Sequence, residues 1–277
     1  MIIWVASYPK SGNTLLRSIL CSLISSDDGV LDLKKLNLVP NFSQKRFFEG
    51  LTHERINIKE ISKYWMAAQK RIIKNGKYRL LKSHNANCHI DNNSFTNSEI
   101  TAGVIYIVRD PRDVTCSASK HFDLSLEEAK NVLLDQSAQT IARKNIDHEI
   151  TTFLGSWSDN YNSWKSFNKK VLVMKYEDLV LKKEDSVLKL VEFLNLFFPL
   201  KINKQKLENC LKTTSFKYLS SMEKSEGFRE SVRSKDEKKI QFFNKGLVGN
   251  WMNILSPKIS HEIETKFKVE MTELGYL

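Results

Sequence analysis

The sequence predicts an α/β fold, a single domain with a central parallel sheet flanked by helices. Short β-rich apolar runs alternate with longer segments of helical period along the 277 residues. This alternation is typical of a parallel sheet that is covered on both faces. No internal repeat or low-complexity linker divides the chain, and its 41% hydrophobic residues are enough for a substantial core. We therefore expect one domain over residues 1–277.

Four strands and several helix starts account for this prediction. A buried strand at 2–7 precedes a helix that carries leucines and isoleucines on one face from Leu15 onward. The further strands are expected at 78–83, 103–108 and 171–174. Helix starts are predicted at the N-cap Asp110-Pro111, at the capping-box pair Ser125 and Glu128, and at Ser256-Pro257, which opens one last amphipathic helix. Three aromatic residues recur at helical spacing and are expected in the core: Trp157, Tyr161 and Trp164.

Two stretches have less regular patterns. Residues 26–62 are polar with mixed short elements, and residues 223–241 are dense in charge with little apolar content. Long loops of an α/β domain often bind acceptors or act as lids. We expect variable, acceptor-side loops in both stretches, the second of them a mobile surface loop.

Composition limits the classes of function. The longest apolar runs, such as 104–108, fall far short of the ~20 residues that a membrane span needs, so we expect no span. The N-terminus has no basic n-region, and the four cysteines show no paired spacing, which together favour a reducing cytoplasm over a secretory compartment. A net charge of +11 indicates either an anionic partner (nucleic acid, anionic lipid or a multiply phosphorylated small molecule) or simply a soluble surface.

The first strand is followed by a tight polar loop and a helix. In a parallel sheet this loop lies at the carboxyl end of a strand, where α/β folds bind ligands, and the helix start offers N–H groups to an anion. Gly12 allows close approach of a phosphate, and Lys10 supplies a mobile cation. The loop is not a Walker A sequence, because its lysine precedes its only glycine. The alternative is a capped helix start that binds nothing.

The heptapeptide Tyr8-Pro9-Lys10-Ser11-Gly12-Asn13-Thr14 resembles the 5′-phosphosulfate loop of sulfotransferases that use 3′-phosphoadenosine-5′-phosphosulfate (PAPS). Other motifs of that family follow in order, so that the resemblance spans nearly the whole chain. They are Lys82-Ser83-His84, Arg109-Asp110-Pro111-Arg112-Asp113 with Ser117, Tyr176-Glu177-Asp178-Leu179, Thr213-Thr214-Ser215-Phe216 with Met222, and the segment 243–253.

The resemblance implies an enzyme that moves a sulfuryl group from PAPS to a hydroxyl or amine, with 3′-phosphoadenosine 5′-phosphate (PAP) as product and no metal. It implies a P-loop-like phosphosulfate loop and a catalytic set of His84, Lys10 and Lys82. The implied cofactor-binding residues are Lys10, Ser11, Gly12, Asn13, Thr14, Leu15, Arg109, Ser117, Tyr176, Thr214, Phe216, Asn244, Lys245 and Gly246.

Three positions depart from the family pattern. Asn244 stands where an arginine usually binds the 3′-phosphate, Leu15 where a tryptophan often stacks on adenine, and Asn250 where an aspartate is usual. The C-terminal dimer motif of many animal members is not evident, so the sequence predicts no oligomeric state.

The residues themselves support the chemistry. Lys82 and His84 lie two apart on a predicted strand and so share a face. Imidazole titrates near neutral pH, which suits a general base for an acceptor hydroxyl, while sulfuryl transfer, like phosphoryl transfer, depends mainly on positioning and electrostatics. Lys10 is expected at the leaving phosphate and Lys82 at the sulfuryl oxygens.

Three alternatives stay open on the sequence alone. A nucleoside-triphosphate kinase or ATPase would show magnesium-dependent hydrolysis, a basic nucleic-acid-binding module would show steeply salt-dependent affinity, and a degenerate PAPS-binding protein would lack turnover. We expect a small-molecule, lipid or glycan acceptor and no nucleic acid. The acceptor pocket is expected from residues 26–62, parts of 85–99 and 223–241, with aromatics such as Phe42, Phe47, Phe48 and Trp65 either lining it or packing in the core.

Overall fold

The computed structural model describes residues 1–73, 76–142, 148–228, 232–233, 239–243 and 246–277. The strands are β1 (Ile2–Ala6), β2 (Arg79–Ser83), β3 (His89–Ile90), β4 (Asn93–Ser94), β5 (Thr101–Val108), β6 (Gln139–Thr140), β7 (Thr152–Phe153), β8 (Lys170–Lys175), β9 (Val232–Arg233) and β10 (Lys239–Ile240). The α-helices are α1 (Asn13–Ser25), α2 (Ile58–Ser62), α3 (Trp65–Ile72), α4 (Pro111–Phe122), α5 (Leu126–Leu134), α6 (Trp157–Lys165), α7 (Tyr176–Leu181), α8 (Lys183–Asn195), α9 (Lys204–Thr213), α10 (Phe216–Glu226), α11 (Pro257–Lys266) and α12 (Lys268–Glu273).

The residues fall into two compact units. The sheet unit comprises Met1–Tyr8, Asn37–Val108 and Asp135–Met174, and the helical unit comprises Pro9–Leu36, Arg109–Leu134 and Lys175–Leu277. Because each unit draws on three separate stretches of chain, neither is a contiguous segment that could be excised as an independent domain.

The sheet unit is built on a four-stranded sheet of order β2-β1-β5-β8. β1 pairs in parallel with β2, placing Val5 beside Lys82, and in parallel with β5. Every residue of β1 and β5 is buried, which confirms the predicted sheet covered on both faces. The strand predictions are confirmed to within one or two residues at each end.

An aromatic core lies against β1 in this unit. The Trp4 ring centroid is 5.5 Å from that of Phe42, 5.2 Å from Phe95 and 5.9 Å from Trp164 on α6. Phe48 and Trp65 are also buried, so of the aromatics offered for the acceptor site only Phe47 stays half-buried. Trp157, Tyr161 and Trp164 are buried as predicted for core packing.

The helix caps follow the sequence signals. Asp110 caps α4 by accepting the Arg112 N–H, with Pro111 in the first turn, and Ser125 and Glu128 form their reciprocal bonds. Ser256 caps α11 as predicted, but the prediction of one continuous last helix was wrong. α11 ends at Lys266 and α12 starts after Phe267, because the Phe267 backbone (φ −110°, ψ 23°) leaves the helical region.

The two irregular stretches are partly ordered. Residues 33–38 and 45–47 form 3₁₀ turns and α2 lies within 26–62. Within 223–241, residues 223–226 are not loop but the end of α10, because the Glu223 side chain is buried and bonded to the backbone. β9 and β10 pair in antiparallel fashion, and 229–231 and 234–238 lie outside the described residues. No helix in the described part of the chain is long and apolar enough to cross a membrane.

Candidate active site

The loop between β1 and α1 has two left-handed backbone positions. Lys10 has φ 67° and Gly12 has φ 97°, and α1 begins directly after the glycine at Asn13. A non-glycine residue with positive φ is strained, and such strain is found preferentially at ligand sites. Gly12, as the N-cap residue, provides no side chain to cap the first helical turn. The start of α1 therefore has the character of an anion site.

Ser11 adds an observation that points to a ligand. Its side chain is fully buried, and its hydroxyl oxygen has no hydrogen-bond partner. Buried hydroxyls are nearly always hydrogen-bonded, so an unsatisfied one inside a phosphate-type loop fits a site for a bound anion. Asn13, Thr14 and Leu15 are buried in the first turn of α1.

Arg109 follows β5 and is held in one orientation by its surroundings. Its guanidinium carbon lies 4.4 Å from the centroid of the Tyr176 ring, a cation–π contact. Its Nη1 donates to the Lys10 carbonyl at 3.4 Å and its Nη2 to the Leu247 carbonyl at 3.2 Å. Burial raises the pKa of Tyr176, with Arg109 acting in the opposite direction. The result is a fixed cation on a neutral aromatic ring, beside the 9–14 loop.

A cavity of about 130 Å³ opens beside this arginine within the helical unit. Five residues that the resemblance assigned to the cofactor line it. They are Arg109, Ser117, Tyr176, Phe216 and Gly246.

The lining also includes residues that the sequence did not assign. Asp113, Cys116 and Lys120 lie on the same face of α4 as Ser117, since 113, 116, 117 and 120 are one and two turns apart, so helical spacing from Ser117 could have found them. Burial raises the pKa of the Cys116 thiol to about 12, so this thiol stays protonated. No sequence signal points to Phe242.

A buried carboxylate ties the segment 246–251 to α4. Asp113 Oδ2 accepts the Gly249 N–H at 2.8 Å and Oδ1 accepts the Trp251 N–H at 3.0 Å. The same carboxylate lies 3.9 Å from Arg109 Nη2. Asp113 thus orients both the cation and the neighbouring backbone of the cavity.

Gly246 lies directly against the Phe216 ring. Its φ is 58°, and a Cβ added there would meet ring carbons of Phe216 at 2.5 Å, a separation that real Cβ atoms do not show. Only glycine allows this close stacking of backbone on ring. Together with the unsatisfied Ser11 hydroxyl and the fixed Arg109, this cradle fits a flat base and a phosphate.

His84 follows the last residue of β2, in the sheet unit. Its Nδ1 lies 2.9 Å from the Ser7 carbonyl oxygen and 3.1 Å from the Ser7 hydroxyl. A carbonyl oxygen can only accept, so this contact assigns a hydrogen to Nδ1 and leaves Nε2 as the basic nitrogen. The ring therefore has the tautomer that a general base at Nε2 requires.

The backbone beside His84 is also fixed. Asn160 on α6 is fully buried, donates to the His84 carbonyl at 3.0 Å and to the Leu154 carbonyl at 2.9 Å, and accepts from Tyr106 Oη at 2.9 Å. The Lys82 N–H donates to the Pro40 carbonyl. Lys82 and His84 are both half-buried in the sheet unit, whereas Lys10 and Arg109 belong to the helical unit.

Of the remaining assigned residues, the structure describes only Thr214. Thr214 is fully buried, and its hydroxyl donates to the Cys210 carbonyl at 2.6 Å, so this side chain completes the end of α9 instead of facing the cavity. Asn244 and Lys245 lie outside the described residues.

Comparison with known proteins decides the family. The model of the sulfotransferase domain matches residues 2–275. The chain belongs to the sulfotransferase family. This confirms the resemblance drawn from the ordered motifs.

Named relatives of this sulfotransferase are distant but span most of its length. It is 27% identical over 274 residues to sulfotransferase 2A1 of Macaca fascicularis, which covers 98% of this chain and 84% of the relative. It is 26% identical over 249 residues to the 3-alpha-hydroxysteroid sulfotransferase of Cavia porcellus (89% and 75%). It is 24% identical over 286 residues to cytosolic sulfotransferase 16 of Arabidopsis thaliana (99% and 77%).

Two solved structures share the fold of this sulfotransferase. Mouse sulfotransferase SULT7A1 complexed with PAP matches with a TM-score of 0.58 and 19% identity, covering 98% of this chain and 84% of that one. Retinol dehydratase in complex with androsterone and PAP matches with a TM-score of 0.60 and 15% identity, covering 98% and 80%. The predicted α/β architecture is thereby confirmed.

Proposed function

We propose that this sulfotransferase uses PAPS as donor and that His84 is the general base for an acceptor hydroxyl or amine. The observation that carries the proposal is the His84 Nδ1 contact with the Ser7 carbonyl, since it leaves Nε2 free of a hydrogen in the neutral ring. Ser7 is fully buried and Asn160 fixes the adjoining carbonyl, so the imidazole has a defined orientation. Preorganisation of this kind is what a general base needs.

The helical unit fits the donor. The 9–14 loop with its buried, unsatisfied Ser11 hydroxyl would hold the 5′ end of the donor. Arg109 with Ser117 would hold the 3′-phosphate, and Phe216 with Tyr176 would lie on the adenine side. In solved relatives with this fold the bound nucleotide is PAP. When bound, the donor supplies an activated sulfuryl group.

The chain's own residues would supply base and charge. His84 Nε2 takes the proton of the acceptor, and the proton stays on the imidazolium, which the Ser7 carbonyl stabilises through Nδ1–H. Lys10 and Lys82 supply positive charge for the leaving phosphate and the sulfuryl oxygens. Fixed cations aimed at developing negative charge are the main source of catalysis in this class of transfer.

Binding and turnover can be separated by two variants. We expect His84→Ala to lower turnover by about 10²–10⁴-fold, with the Kd for PAP unchanged. Arg109→Ala should raise the Kd for PAP about 10- to 100-fold, the equivalent of one charge-assisted hydrogen bond of about 1.5–3 kcal/mol. It should also reduce the preference for PAP over AMP, because AMP lacks the 3′-phosphate.

The assay uses labelled PAPS with a panel of hydroxysteroids, phenols, retinol and glycans, alongside calorimetry with PAP and AMP. The exposed His148 provides the matched control, because His148→Ala removes an imidazole from the same unit without touching Ser7 or Asn160, and His148 lies outside the stretches expected to bind the acceptor. Full turnover in His84→Ala, or equal loss of turnover and PAP binding, contradicts the base role. Unchanged discrimination between PAP and AMP in Arg109→Ala contradicts the donor assignment.

A further inference from the structure

The ring of Phe242 lies over the ammonium of Lys10. The Lys10 Nζ is 4.6 Å from the ring centroid, within the range of a cation–π contact. Phe242 also lines the cavity beside Arg109 and Tyr176. The aromatic face therefore connects the loop lysine to the cavity in the helical unit.

A buried carboxylate fixes the backbone that carries this ring. Glu223 on α10 is 1% exposed; its Oε1 accepts the Phe242 N–H at 2.7 Å and its Oε2 accepts the Phe243 N–H at 2.8 Å. The Gln241 side chain donates to Ser220 on the same helix at 2.8 Å. A carboxylate is buried at this depth only when its bonds compensate for lost hydration, so the geometry of 241–243 is strongly specified.

The lysine is constrained from its own side as well. Lys10 has the left-handed φ of 67°, and its carbonyl accepts from Arg109 at 3.4 Å. The backbone of Lys10, its ammonium and the ring above it are thus all held by residues of one unit.

We propose that Phe242 is a positioning residue for Lys10, and that Glu223 serves this role by fixing the Phe242 backbone. The proposal rests on the proposed function, in which Lys10 meets the 5′-phosphate. An aromatic face attracts an ammonium without neutralising its charge. Holding the long lysine side chain in advance also reduces the rotamer entropy lost on binding.

The first test is calorimetry of PAP binding. We expect Phe242→Leu to raise the Kd for PAP about 3- to 30-fold, and Phe242→Tyr, which keeps the aromatic face, to restore it to within about twofold. Phe228 gives a matched packing control: its ring lies 5.0 Å from Phe242 and 4.9 Å from Phe243. Phe228→Leu removes aromatic packing from the same cluster while Phe242 and its ring stay in place, so its Kd should change less than that of Phe242→Leu.

In a Lys10→Met background, the loss of the Phe242 ring should have no further effect on the Kd for PAP. If the ring acts through the ammonium, Phe242→Leu in a Lys10→Met background will not raise the Kd further. Glu223→Gln, which keeps one acceptor oxygen, is expected to produce part of the Phe242→Leu effect.

A second readout does not depend on any nucleotide. Lysines dimethylated with a ¹³C label keep their charge, and the Lys10 signal is identified by its absence in Lys10→Met. The ring above it should shift this signal upfield in the wild type and in Phe242→Tyr but not in Phe242→Leu.

The outcomes separate the two hypotheses. A wild type that does not bind PAP overturns the proposed function and this inference with it. Tight PAP binding with no difference between Phe242→Leu and Phe228→Leu overturns the inference alone. Equal effects of Phe242→Leu with and without Lys10 do the same, since the ring would then act by packing only.

Discussion

The close contact of Gly246 with Phe216 makes the substitution Gly246→Ala a sharp test of the cavity geometry. At φ 58° an alanine is strained by about 1–2 kcal/mol. The added Cβ would lie 2.5 Å from ring carbons that normally stay at least 3.4 Å away, so the ring or the segment must move by about 0.9 Å. Overpacking of this kind costs about 1–3 kcal/mol. The expected total is about 2–5 kcal/mol.

Gly76 separates strain from overlap. Its φ is 68°, and a Cβ there meets no heavy atom within 4 Å, so Gly76→Ala should cost only the strain of about 1–2 kcal/mol. The assay is urea unfolding of both variants at constant m-value, together with the Kd for PAP. We expect Gly246→Ala to exceed Gly76→Ala by about 1–3 kcal/mol in the sum of lost stability and lost affinity.

A double-mutant cycle identifies the clashing partner. Phe216→Ala removes the ring, so Gly246→Ala should cost only its backbone strain in that background, a coupling of about 1–3 kcal/mol that relieves the defect. Strict additivity of the two substitutions, or a Gly246→Ala variant no worse than Gly76→Ala by either measure, would refute the stacked geometry.

Two further predictions concern buried charges. Asp113→Asn keeps one acceptor oxygen for two N–H groups. It should therefore lower the free energy of unfolding by about 1.5–3 kcal/mol and speed hydrogen exchange at the Gly249 and Trp251 amides. Asp27→Asn, at an exposed site, should do neither. Burial lowers the pKa of Lys183 from 10.5 to about 8, so between these two pH values the unfolded chain binds the extra proton and this lysine's contribution to stability rises with pH. Lys183→Met should therefore be more stable than wild type at pH 7, and this difference in the free energy of unfolding should close between pH 8 and 10.5. A difference that does not change with pH, or the same difference in the exposed Lys189→Met, would count against this prediction.

Local sequence patterns predicted most of the secondary structure, because caps and apolar periods act over a few residues. Asp110-Pro111 and the pair Ser125 and Glu128 form the expected caps. The failures have a tertiary cause. Residues 223–226 are polar in composition yet helical, since Glu223 finds two backbone partners about twenty residues along the chain. The sequence also did not show that the Thr214 hydroxyl donates to a carbonyl of α9, and the assignment of Thr214 to the cofactor stays a prediction.

The sequence by itself determined the family, the order of the family's motifs along the chain and the types of side chain available for a sulfuryl transfer. Ordered motifs survive in sequence because each is a short segment with its own chemistry. What only the tertiary structure decided is how distant segments constrain those side chains: the His84 tautomer through Ser7, the Arg109 orientation through Tyr176, and the Phe242 ring over Lys10. Contacts between residues some 70 to 230 positions apart leave no periodic trace in one sequence, because burial and through-space charge depend on the folded chain.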